Sequence, residues 1–416
     1  MTPLNRRRFL KAATGGVSAL AAGADRLFAA QGAAPRATTD IVVVGAGAFG
    51  GWTALYLREM GHTVTLIDQY GPGNSRATSG GETRQIRAVY GEREIYTKWV
   101  LQAFDRWQAR EAEWGRKLFF RTGQLSLAPE WTTELTDTRK VFDRLGVKYD
   151  IVKPDDLARQ YPQMNMNNVG VAMSTPSTGV LKAREGCLAV AQAFEKKGGR
   201  FVTAKVEMGT RAGSTLQDVA LSTGQRVSAP IFVFACGPWL PKVFPSVMKN
   251  KLETPRRAVF FYGTPPGDQR FTYPNFPTWS VDNAYGFPCI EGKGFKVVPT
   301  FERELVDPDT QDHALTADEL RKGRAFATKW FPALATQPLV DGRICPREDS
   351  IDDHFIVQQH PELGNVWLVG GGSGHGYKHG IMLGDYVANR VVGQDKNPEL
   401  AATFALKAAT FRFKAG

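Results

Sequence analysis

Residues 41–50 read Ile-Val-Val-Val-Gly-Ala-Gly-Ala-Phe-Gly, and they narrow the choice of fold more than any other stretch. Four consecutive apolar residues, three of them valine, suit a parallel strand buried on both faces. Gly45-x-Gly47-x-x-Gly50, with Ala48 and Phe49 in the intervening places, then turns the chain into a helix expected over 51–60. The first glycine permits the bend, the second lets the backbone approach a pyrophosphate, and the third lets helix and strand pack closely. The helix N-terminus supplies unpaired N–H groups to the anion. Gly61 closes the helix, and a second apolar strand, 63–67, runs into Asp68 and Gln69. Asp68 lies 23 residues after Gly45, close to the spacing of an acceptor for a ribose hydroxyl. The alternative is a glycine-rich connection in some other α/β fold. The reading adopted is a site for an ADP-containing dinucleotide.

At 416 residues the chain has length for a large core and for two domains. The net charge of +11 includes five basic residues and one acidic residue within the first 30. The remainder is spread thinly, without the clustered Lys/Arg and interleaved aromatics of a nucleic-acid surface. A mild positive excess suits an anionic substrate or cofactor. Four cysteines without a C-x-x-C pair, and six histidines, give no metal cluster.

The N-terminal residues stand apart. Asn5-Arg6-Arg7-Arg8-Phe9-Leu10-Lys11 precedes a weakly apolar stretch rich in Ala and Gly, 12–24, and small residues follow at 29–33. This resembles a twin-arginine export signal over 1–33, the alternative being a basic arm. It implies the twin-arginine export machinery as a partner, a periplasmic or other extracytoplasmic location, and membrane association only if the signal is retained.

Further along, the pattern predicts helices over 94–116, 132–145, 183–197, 317–331 and 379–392. Strands are expected over 118–127, 200–206, 225–235, 258–262, 294–301 and 366–369, with a turn at 179–181. The last strand runs into Gly370-Gly371-Gly372-Ser373-Gly374-His375-Gly376-Tyr377-Lys378 and a helix, a second strand–glycine turn–helix unit more than 300 residues after the first. The fold class expected is α/β (α+β overall): a doubly wound, Rossmann-like sheet assembled from both ends of the chain, with an inserted strand-rich substrate domain. The dinucleotide domain is assigned 39–115, 183–253 and 340–410, and the substrate domain 116–182 and 254–339.

Five segments in order carry a family resemblance. Beside the glycine fingerprint they are Gly81-Glu82-Thr83-Arg84-x-Ile86-Arg87-x-x-Tyr90-Gly91, Tyr285-Gly286-Phe287-Pro288 with Gly294-Phe295-Lys296, Cys345 with Asp353-His354-Phe355-Ile356, and Gly372 to Lys378. Together they resemble the sarcosine oxidase and N-methyltryptophan oxidase branch of the D-amino-acid-oxidase-like flavoproteins. The resemblance implies FAD and oxidation of a secondary amine or amino acid, with hydride passing from a substrate C–H to flavin N5. An imine forms, and O2 reoxidises the flavin to give hydrogen peroxide. Two alternatives stay open: an exported dehydrogenase passing electrons to a quinone or cytochrome, and a flavin-binding protein without turnover.

The resemblance assigns roles residue by residue. Lys296, in an apolar strand, matches the lysine that assists O2 reduction, and its setting argues for an ammonium buried for a purpose. Arg87 and Lys378 match the pair that holds a substrate carboxylate, Arg84 an arginine near the flavin ring, and Tyr285 a tyrosine at the substrate. Cofactor contacts are implied for Gly45, Gly47, Ala48, Phe49, Gly50, Asp68, Gln69, Ser79, Thr83 and Arg84. Later in the chain they are implied for Gly372, Gly374, His375, Gly376 and Lys378. Cys345, nine residues before His354, matches the cysteine that bonds covalently to the flavin. Cys187, Cys236 and Cys289 are read as structural. Gly80 and Thr300 stand where sarcosine oxidases carry histidines, which argues against sarcosine itself and for a larger amine.

Overall fold

A computed structural model describes residues 36–411; the export signal expected over 1–33 lies outside them. Among the described residues no helix is long and apolar enough to cross a membrane.

The Ile41–Val44 strand lies inside a six-stranded sheet. Its order is Arg200–Thr203, Val64–Asp68, Ile41–Val44, Ile231–Phe234, Val366–Gly370 and Ile356–Gln359. All neighbours are parallel except the final pair. Side-chain alternation explains why every residue of the central strand is apolar. Ile41 and Val43 pack toward the helices, in one core with Leu55 and Leu383. Val42 and Val44 pack against Val219, Val227 and Phe244 on the opposite side. The helix Ala48–Glu59 lies against Gly380–Val391 and Ala183–Lys196. The first of these contacts is close because Gly384 carries no Cβ, which would sit 2.4 Å from the Cβ of Trp52.

The second large sheet has eight strands, ordered Leu339–Pro346, Arg256–Tyr262, Phe295–Val298, Ala284–Phe287, Thr278–Val281, Gln124–Ala128, Val171–Thr175 and Asp150–Ile151. Phe260, Tyr262, Phe295, Val297, Trp279 and Ile344 turn to one side. There they bury the helix Ala317–Trp330, which begins in a Thr316/Glu319 capping box. The other side of this sheet bears the residues discussed below. A small third sheet, Thr83–Ile86 with Gly179–Lys182 and Phe119–Phe120, carries the Arg84 motif.

Several expected elements differ. The single strand expected over 118–127 is two, divided at Gly123 (φ +72°), and the halves join different sheets. The 225–235 strand is also two, Arg226–Ser228 and Ile231–Phe234, because Pro230 has no N–H to continue a ladder. The 200–206 strand also divides, into Arg200–Thr203 and Val206–Met208, which join different sheets. The expected turn at 179–181 is the strand Gly179–Lys182, which pairs on both edges. The first helix begins at Ala48, not at 51, since nothing in Ala48-Phe49-Gly50 prevents helical backbone directly after Gly47.

Candidate functional site

A cavity of about 910 Å3 runs from the C-terminal ends of the parallel strands to the free face of the eight-stranded sheet. That volume is at the upper end of small-molecule sites. At one end lies the glycine turn. Gly45 has φ +105°, and a Cβ there would come within 2.2 Å of the Ala235 carbonyl oxygen. Gly47 is the first residue outside the helix and offers no side-chain cap, so the N–H groups of that first turn are open to the cavity, which Gly47, Ala48 and Phe49 line. Asp68 is spoken for in part: Oδ2 accepts the Ala46 N–H at 2.7 Å and Oδ1 the Tyr70 N–H at 2.8 Å. Burial raises its pKa against these hydrogen bonds. Asp68, Gln69 and Ser79 all face the cavity.

The eight-stranded sheet forms the far wall, and its register explains which residues arrive there. Directly paired residues share a face. Phe261 and Phe287 each pair with Lys296, Tyr285 pairs with Val298, and Arg257 pairs with Cys345. Lys296 is 2 % exposed. Its Nζ donates to the Thr83 carbonyl at 2.8 Å and lies 4.6 Å from the centre of the Phe287 ring, with no carboxylate paired to it among the described residues. Burial, then the Arg84 charge, push its pKa well below the ordinary lysine value. Arg84 donates to the Thr83 carbonyl at 2.9 Å, to the Thr78 carbonyl, and to Cys345 Sγ at 3.1 Å. Thus the sulfur, Arg84 and Lys296 form one cluster on segments far apart in sequence.

The third wall is the second glycine turn. Gly376 lacks the Cβ that would sit 2.7 Å from Phe49, and Gly374 (φ +71°) the one that would meet the Arg347 guanidinium at the same distance. Both line the cavity together with Gly372, His375 and Lys378. Lys378 Nζ donates to Tyr90 Oη at 2.9 Å and to the His375 carbonyl at 3.1 Å. Burial and the neighbouring Arg87 lower its pKa strongly. Arg87 stacks on the Tyr90 ring at 4.7 Å and turns toward the same space. His375 has its Nε2 3.0 Å from the Asp353 carbonyl, and burial keeps the imidazole neutral.

Two residues expected at the cofactor do not line the cavity. Gly50 is taken up by the turn itself, where a Cβ would come within 1.9 Å of the Gly45 carbonyl oxygen. Thr83 sits behind the wall and holds Lys296. Conversely, Cys236, read as structural, lines the cavity. Arg257, Arg347 and Glu348 were not anticipated. Glu348 is buried, accepts the Gly371 N–H at 2.6 Å, and has its pKa pushed up to about 8 by burial. The available signal was the run Arg347-Glu348-Asp349, two residues after Cys345, three charges inside an otherwise buried segment.

The residues present fit a dinucleotide. The uncapped helix turn suits a pyrophosphate. The glycine walls admit a close planar group, and Thr78 Oγ1, in the cavity wall, is buried with no partner among the described residues. These features define a dinucleotide-binding oxidoreductase of the two-sheet flavoprotein type. The chain belongs to the DAO family of FAD dependent oxidoreductases, whose match covers residues 40–390.

Over 361 residues the chain is 25% identical to the monomeric sarcosine oxidase of Arthrobacter sp. (strain TE1826), covering 85% of this chain and 92% of that protein. It is 26% identical to the N-methyl-L-tryptophan oxidase of Yersinia pestis (strain Pestoides F) over 381 residues, covering 90% and 99%. Among solved structures, L-proline dehydrogenase from P. horikoshii superposes with a TM-score of 0.78 at 19% identity, over 88% of this chain and 96% of that one. NikD, an amino acid oxidase of nikkomycin biosynthesis, superposes with a TM-score of 0.76 at 19% identity, over 90% and 98%. At these identities the two superpositions establish a shared fold.

Proposed function

We propose that the protein is an exported, FAD-dependent oxidase of a secondary amine or amino acid. The observation that carries this reading is the pairing, within one cavity, of two sets of basic groups that have no acid partner among the described residues: Arg87 with Lys378, and Lys296. A bound FAD would supply the acceptor for a hydride from the substrate C–H and the means of returning its two electrons, with two protons, to O2 as hydrogen peroxide. The chain supplies placement and charge. Arg87 offers a planar fork to the substrate carboxylate, and Lys378, with two donors engaged by Tyr90 and His375, gains a third for that carboxylate when its arrival restores the ammonium. Tyr285 lines the same space and orients the amine end. Lys296, held by Thr83 and flanked by Arg84, offsets negative charge developing on oxygen. A redox partner such as a quinone would not require that buried ammonium, which favours the oxidase.

Cys345 is the proposed point of covalent attachment. Its sulfur is cavity-facing and accepts a hydrogen bond from Arg84. Residues 1–33 are proposed to direct export through the twin-arginine machinery to an extracytoplasmic compartment, and a covalent flavin would survive that passage. Replacing Arg6 and Arg7 by lysine is expected to leave the protein in the cytoplasm; unchanged export refutes this part.

The central test mixes the oxidised holoenzyme, without air, with sarcosine, proline, pipecolate, N-methyltryptophan and glycated amino acids, while flavin absorbance is followed. Bleaching by at least one, reversed on admitting air with release of hydrogen peroxide, is the expected result. Reduction by dithionite but by no amine would refute the oxidase.

A further inference from the structure

The sheet face that walls the cavity carries a cavity-lining cation that the reaction above does not use. Arg257 lies on the Arg256–Tyr262 strand, directly paired with Cys345, and faces the cavity with Val259, Asn283, Tyr285 and Thr300. It stands four positions before Phe261, the partner of Lys296, which places it about 13 Å along the sheet from that lysine at ~3.3 Å per residue. It is half-buried, and its Nη1 donates only to neutral acceptors, Thr300 Oγ1 at 2.8 Å and the Pro299 carbonyl at 3.3 Å. It forms no ion pair with any carboxylate among the described residues. The acid whose charge reaches it, Asp349, is already held by Arg347 at 2.9 Å and by Arg303 at 3.3 Å. Burial and the Arg347 charge act against the guanidinium and lower its pKa.

A buried or half-buried arginine is ordinarily matched by a counter-ion. The flavin phosphates do not supply one, because their seat is the uncapped helix turn at Gly47, on the other sheet. Arg87 and Lys378 do not compete for the same anion either, since Lys378 stands on the glycine turn after Val366–Gly370. Arg257 therefore marks a second anion position in the substrate half of the cavity, bordered by hydrogen-bonding side chains (Asn283, Tyr285, Thr300).

We propose that the substrate is an amino acid bearing a second carboxylate, with the α-carboxylate on Arg87 and Lys378 and the second on Arg257. This rests on the oxidase reading for the chemistry, but the binding can be tested without turnover. The oxidised holoenzyme is titrated with two unreactive acids of similar length, glutarate and butyrate, following perturbation of the flavin spectrum and, separately, the rise in melting temperature. Glutarate is expected to bind about ten- to a hundredfold tighter than butyrate, the range of one charge-assisted pair. The ratio should fall to near one in Arg257→Gln and be partly kept in Arg257→Lys. A wild-type ratio within twofold of one, or a ratio unchanged in Arg257→Gln, overturns the proposal. The wild-type ratio decides even if the glutamine variant folds poorly. Failure of every amine to bleach the flavin would remove the oxidase reading and leave this ratio to judge the second anion position on its own.

Discussion

Lys296→Met separates what the buried ammonium does for folding from what it does for oxygen. Methionine matches lysine in length and fits the cage of Phe261 and Phe287 around the side chain. The Thr83 carbonyl is not orphaned by the change, because Arg84 Nη1 also donates to it at 2.9 Å. The lysine pKa is depressed in the folded chain, first by burial and then by Arg84. At neutral pH the unfolded chain therefore binds the proton more readily, and stability contributed at this site rises with pH. Methionine removes that cost, so the variant should melt at or above the wild-type temperature. Oxygen reduction should respond in the opposite sense. Deleting one preorganised donor from a site of developing negative charge costs about 3–4 kcal/mol, or 10²- to 10³-fold in rate. Stopped-flow absorbance should show flavin reoxidation slowed by that factor and flavin reduction by less than about fivefold. In the wild type the reoxidation rate should fall as pH rises through the depressed lysine pKa, since only the ammonium form assists, and the methionine variant should lack that step. Equal slowing of both half-reactions, or the same pH step in the variant, would refute the assignment.

Other groups respond in ways that distinguish them. Burial and Arg87 keep Lys378 short of its proton, so an arriving carboxylate should restore the ammonium and draw one proton from solution. Calorimetric titration in two buffers of different ionisation enthalpy would detect this uptake, and Lys378→Met should abolish it while raising KM about ten- to a hundredfold. Cys345→Ala should release its flavin into the supernatant on acid precipitation, whereas the wild-type pellet stays yellow; a colourless wild-type pellet refutes the thioether. Glu348 ionises near 8 in the folded chain against an ordinary value of 4.5, so its contribution to stability is full at low pH and lost as pH rises across that interval. Glu348→Gln should flatten the profile of denaturation free energy over that range, and an unchanged profile would contradict the burial argument.

The parts of this molecule legible from sequence share one property: their physical cause is local. A four-residue apolar run, a glycine at each sharp bend and an acid at the end of the next strand specify the first unit without reference to distant residues. Lys296 was legible for a similar reason, since a lone cation among Phe295, Val297 and Val298 advertises burial. The 118–127 segment failed because its apolar residues suit one strand equally well as two, and only its partners in two sheets decide. Arg257 failed for a deeper reason. It follows Pro255 and Arg256 and reads as the polar start of an edge strand, so nothing local distinguishes it from a solvated arginine. Its meaning comes from parity: the same register that turns Phe260 and Tyr262 into the aromatic core turns Arg257, Val259 and Phe261 toward the cavity. A one-residue slip would exchange the two sets, placing Arg257 among Trp279 and Phe331 at a desolvation cost the core could not offset. The aromatic core thus enforces the position of the cation, which explains how a packing requirement on one side of a sheet can set the charge of a substrate on the other.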